Sequence, residues 1–169
     1  MTDTITAFLG DHRMASGTRE EVTRAILADH PQDQDAVRAH DDSSGKVVDL
    51  DYRGVGPVPA PRGRGRPSLG VTAREVTLLP RHWDWLATQR GGASAALRRL
   101  IDAARAEPRT LRQRQDAAYA FMADSCGDRP GYEEALRSLY RGEDGDFAAQ
   151  IADWPEDIRT YISRLLADD

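Results

Sequence analysis

The stretch PRGRGRPSLGVTAREVTLLPRHWDWLATQRGGASAALRRLIDAARA, residues 61–106, decides how the rest of the chain is read. It opens in Gly, Arg and Pro, continues as a strand-like run, and closes with two helical patterns separated by Gly91-Gly92. Pro57, Pro59, Pro61 and Pro67 deny residues 54–72 a helix or an interior strand, so this part reads as a linker. REVTLLP (74–80) reads as a short strand, and Pro80 suits the opening of the helix RHWDWLATQR. Ser94 is the expected N-cap of ASAALRRLIDAARA. There Ala96, Leu97, Leu100, Ile101 and Ala104 recur at three- and four-residue spacing, an apolar face, with Arg98, Arg99 and Arg105 on the other sides. Trp83 and Trp85, two apart, cannot share a helix face; one is expected in the core and the other against a neighbouring segment.

Charge sets the same stretch apart. Residues 56–114 hold 12 basic and 4 acidic side chains, whereas residues 1–55 hold 6 and 11 and residues 115–169 hold 5 and 13. An acidic chain of net charge −5 with a strongly positive middle offers that middle to polyanions. Arg64-Gly65-Arg66-Pro67 resembles the AT-hook, a minor-groove element built on Arg-Gly-Arg-Pro. A narrow A·T minor groove concentrates negative potential, and a glycine without side-chain bulk lets two arginines lie along its floor. Arg62 and Gly63 extend the pattern on one side, while Ser68 and Leu69 stand where further basic residues would grip phosphate.

The following segment resembles a ribbon-helix-helix module in its arrangement. That resemblance implies a strand that pairs with a second chain in the major groove, with alternate residues among Arg74, Val76 and Leu78 facing DNA. It also implies phosphate held by Ser94 and the amides of Ala95 and Ala96, with Arg98 beside them. The match departs in polarity. One strand parity exposes Val76 and Leu78, and the other turns Glu75 outward, so neither offers good base readout. A dimerising core that never touches DNA fits the pattern equally well.

Outward from the middle, the chain is ordinary. TITAFL (4–9), a Gly10-Asp11 turn and HRMAS read as two strands. Thr18 and Glu21 form a capping-box start for a helix bearing Val22 and Ile26, ended by Pro31. DAVRAHDD, a Ser-Ser-Gly turn at 43–45 and KVVDLDY then read as a hairpin whose buried side carries Val37, Val48 and Leu50. Asp41, Asp42, Asp49 and Asp51 lack a metal-loop pattern and read as hairpin solvation, and His12, His30 and His40 as surface residues. Residues 110–125, YEEALRSLYRG, DFAAQIADW and PEDIRTYISRLLADD read as successive helices.

The expected fold is therefore α+β, in four segments. These are an N-terminal ββαββ unit (1–53), the basic linker (54–72), a strand-helix-helix segment (73–107) and a C-terminal helical bundle (109–169). The middle block, TAFLGDHRMASG and AAYAFMADSCGDRPGYEEALRSLYRGE together are similar to an uncharacterised bacterial family, domain of unknown function 2239. That likeness implies no activity.

Catalysis finds little support: there is no nucleophile elbow, Walker-type loop or paired His ligands, and Asp124 and Asp128 flank the single Cys126. No cofactor or metal is expected. One cysteine, no 18-residue apolar run and no secretory pattern suit a cytoplasmic protein without a membrane span. The expectation is a homodimeric DNA-binding protein of the transcriptional-regulator type, using Arg62, Arg64, Gly65, Arg66, Pro67, Arg74, Ser94 and Arg98. The alternative is a protein-interaction module whose basic middle docks on acidic surfaces.

Overall fold

The computed structural model describes residues 4–53 and 74–167. The fold is mixed α+β, with a four-stranded antiparallel sheet and seven α-helices among the described residues. Chain packing gives two units, residues 1–55 with 108–169 and residues 56–107. The N-terminal and C-terminal segments expected as separate domains thus pack in one unit.

In that larger unit, β1 (Thr4–Leu9), β2 (His12–Thr18), β3 (Val37–Asp41) and β4 (Val47–Val48) lie in the order β2-β1-β3-β4. α1 (Arg19–Asp29) follows β2, and the capping box anticipated from Thr18 and Glu21 is present. The ββαββ order read from sequence is the order observed, although β4 is only two residues long. Side-chain alternation then builds two cores from one sheet. Ile5, Ala7 and Ala39 meet Val22 and Ile26 of α1, with Val37, Val48 and Leu50 partly buried around them. Thr6, Phe8 and His40 belong to the opposite parity, and Phe8 enters the core of the C-terminal helices.

Those helices are α4 (Leu111–Ser125), α5 (Tyr132–Arg141), α6 (Asp144–Gln150) and α7 (Glu156–Leu166). Phe121, Met122, Ile158, Ile162 and Leu165 fill the space among them and the sheet. Arg129 pairs with Asp11 in the first turn, and the Arg13 amide donates to Asp157 at 2.9 Å, tying the first hairpin to the later helices. Thr110 caps α4 in a reciprocal arrangement with Gln113. Thr110→Ala leaves the Gln113 amide at this helix start without its acceptor and is expected to lower stability by about 1 kcal/mol in urea denaturation.

The smaller unit holds α2 (Pro80–Ala87) and α3 (Gly92–Ala106). Pro80 opens α2, as its fixed φ and missing N–H favour. The expected strand at 74–80 is not formed: residues 74–79 are irregular, because no strand of the chain's described residues lies beside them to accept a ladder. Ser94 is not the N-cap either. Gly91, at φ +87°, takes that place, and Ser94 lies inside α3. A left-handed glycine ends the turn one helical start earlier than a serine cap would. Ser94, Ala95 and Ala96 therefore lie within the first turns of α3 and not at a serine-capped start.

Candidate functional site

Of the residues expected to contact DNA, Arg62, Arg64, Gly65, Arg66 and Pro67 lie outside the described residues. Arg74, Ser94 and Arg98 are all exposed, Arg74 in the irregular stretch before α2 and the other two on α3. Ser94, Arg98 and Arg105 recur at i, i+4 and i+11, so they share a helix side, with Ile101 of the apolar stripe at its edge. Arg99 turns back instead and donates to the carbonyl of Arg90 at 3.0 Å, bracing the glycine turn.

The apolar stripe is the less expected feature. Among the described residues of this unit, only Leu86 of α2 and Ala96 of α3 are buried. Neither tryptophan is a core residue: Trp83 is 42% and Trp85 50% exposed, against the expectation that one would be buried. Val76, Leu79, Leu100 and Ile101 are likewise about half exposed. The reason is geometric. At about 1.5 Å per residue, eight-residue α2 is roughly half as long as fifteen-residue α3, so the stripe of α3 outruns its partner. Periodicity revealed the stripe but not the shortage of anything to cover it.

A second polar cluster lies in the larger unit, and sequence reasoning missed it. His40, expected at the surface, is wholly buried. The helices cover the sheet face that a lone hairpin would show to water. Its ring meets Phe121 edge-on at 4.9 Å and Phe8 at 6.2 Å; Nδ1 lies 3.2 Å from the Gly45 carbonyl. Nε2 lies 3.4 Å from Ser125 Oγ and 3.6 Å from Asp124 Oδ2. One nitrogen faces both groups, and the other is held by a backbone carbonyl. This is a positioned core histidine, without a carboxylate on Nδ1 to orient it as a base toward Ser125. Cys126, next in sequence, is buried with its thiol pushed up to about 11, first by burial, so it is protonated at neutral pH.

Asp42, expected to be solvated, is the hub of the same region. Its carboxylate accepts from Thr6 Oγ1 at 2.7 Å, Tyr161 Oη at 3.0 Å and Arg164 Nη2 at 3.0 Å. Burial, then the Asp42 charge, raises the Tyr161 hydroxyl far above its usual range, keeping it a donor. Asp41 instead organises the β3–β4 turn, taking the hydroxyls and amides of Ser43 and Ser44. Partial burial pushes the Asp41 carboxyl up, but those four donors outweigh it and hold it below the ordinary carboxylate value. No group of three or more His, Cys, Asp or Glu among the described residues could hold a metal ion.

Burial, its largest influence, lowers the His40 pKa below the ordinary 6.5, despite the opposing Gly45 carbonyl and Asp124 charge. The unfolded chain therefore binds a proton near 6.5 that the folded chain resists. The stabilisation from neutral His40 is present above 6.5 and is lost as pH falls from there toward the lower folded value. Urea midpoints should decline through this window, and His40→Gln should flatten that decline; a wild-type midpoint that stays level there would contradict it.

The fold and these surfaces define a class: a mixed α+β protein with an acidic, densely packed larger unit and a separate amphipathic, arginine-bearing helical hairpin. No helix among the described residues is long and apolar enough to cross a membrane. The chain belongs to a bacterial family described as an uncharacterized protein conserved in bacteria, DUF2239, whose sequence model matches residues 4–166. No curated protein and no solved structure matches it.

Proposed function

We propose that the protein binds DNA through its basic middle. Arg62, Arg64 and Arg66, spaced by Gly65 and closed by Pro67, enter an A·T minor groove. Exposed Arg74 and Arg98 add phosphate contacts. The observation that carries this reading is the 12 basic against 4 acidic side chains of residues 56–114, in a chain otherwise acidic. The acidic remainder repels phosphate and so restrains nonspecific binding. Major-groove readout by a paired ribbon forms no part of the reading, because neither strand parity of residues 74–79 offers good base contacts.

Fluorescence anisotropy on A·T-rich and G·C-rich duplexes at two salt concentrations tests it. Affinity should favour A·T and fall steeply with salt. Arg64→Ala/Arg66→Ala should weaken binding at least about tenfold and reduce the salt slope by about 2, one unit per lost phosphate-neutralising charge. The folded protein failing to bind either duplex at low salt would remove the DNA reading and leave the middle as a surface for protein partners.

A further inference from the structure

We infer that the exposed apolar face of the α2–α3 hairpin is a homodimer interface, occupied by the same face of a second copy of this chain. The inference deepens the DNA reading, since a dimer would place two arginine-rich segments on one duplex and raise their joint affinity through effective concentration.

Three observations favour a second copy as occupant. The first is area. Val76, Leu79, Trp83, Leu100 and Ile101 are each 42–55% exposed. With large side chains presenting roughly 150–250 Å² each, they leave about 450 Å² of apolar surface per copy, near the largest patch a monomer ordinarily tolerates. Two such faces give about 900 Å². The alanines of the α3 stripe and the stems of its arginines extend this toward the roughly 1,200 Å² at which stable interfaces begin.

The second is shape. α3 outruns α2, so each copy leaves the same far half of the same stripe uncovered, around Leu100, Ile101 and Ala104. A two-fold axis sets these two halves against each other, since an isologous contact needs one patch that complements itself. The third is charge. Residues 74–107 carry six arginines and four acidic side chains, a mixture that opposes self-association only weakly. Leu86 and Ala96, the buried residues of the two helices, are too little core for a two-helix hairpin, which explains why the stripe requires a cover.

Sedimentation velocity of the full chain without DNA, over a dilution series, tests the interface. The wild type is expected to sediment at twice its 18.7 kDa mass and dissociate on dilution. Leu100→Glu/Ile101→Glu, both at exposed positions, should yield a monomer with unchanged thermal unfolding of the larger unit. Trp83→Ala, on the other helix, is measured alongside because two new carboxylates also burden α3; it should raise the dimer dissociation constant at least tenfold. A wild type that stays monomeric throughout, or a dimer that survives either change, overturns the proposal. Arg64→Ala/Arg66→Ala separates the two readings. Lost DNA binding in an intact dimer leaves this interface standing, and DNA binding by a monomer removes the interface alone.

Discussion

Gly45→Ala is expected to destabilise the larger unit by about 4 kcal/mol or more, enough to unfold a domain of ordinary stability. Gly45 closes the β3–β4 turn at φ +66°, its amide bonded to the Asp41 carbonyl at 2.8 Å. A side chain there costs about 1 kcal/mol for the left-handed conformation alone. The larger cost is steric. An added Cβ would lie 1.9 Å from the Ala117 carbonyl oxygen and 2.8 Å from its carbon, both backbone atoms of α4. Relief requires the turn to withdraw from the helix, and the turn also supplies the carbonyl that holds His40 Nδ1. Gly10→Ala is the matched control: φ is +57°, but the space where its Cβ would lie is open. It should cost only about 1 kcal/mol. Equal urea midpoints for the two variants would show that the close approach on α4 carries no energy.

Asp42→Ala is expected to cost about 3 kcal/mol, and the composition of that figure is itself testable. The ion pair with Arg164 contributes little, because the Arg164 side chain is 48% exposed and water screens it. The main cost comes from hydroxyls that lose their acceptor inside the protein. Tyr161 is 2% exposed and Thr6 wholly buried; Thr6 keeps Ser16 as a partner at 3.0 Å, whereas Tyr161 does not share it. Tyr161→Phe removes the donor and should cost about 1 kcal/mol. Added to Asp42→Ala it should cost less than the sum, because the orphaned hydroxyl is gone. Arg164→Ala should stay within about 1 kcal/mol of wild type. Additive single-variant costs would show that the hydroxyl bond is not the seat of the effect.

Neither effect could be anticipated from the local pattern, although the turn itself could. Ser43-Ser44-Gly45 reads as a turn because serine and glycine supply the local hydrogen bonds and the positive φ that a reversal needs. Its contact with Ala117, more than seventy residues later in the chain, has no local signature. His40 and Asp42 show the same limit. Within VRAHD (37–41), alternation separates Ala39 from His40, but it does not say whether the second face meets water or helices. Trp83 and Trp85 err in the opposite direction: two apart on a helix, they put one ring in an expected core, yet both are about half exposed.

The sequence by itself determined the mixed α+β composition, the ββαββ order, the capped start of α1, the glycine turn between α2 and α3, and the concentration of positive charge in the middle. Each depends on residues within a few positions of one another, where propensity, capping and periodicity operate. Tertiary structure alone decided that the first and last segments pack in one unit, that His40 and Asp42 lie between sheet and helices, and that the hairpin stripe stays uncovered. Burial is a property of what arrives from elsewhere in the chain, and no local pattern of residues specifies it.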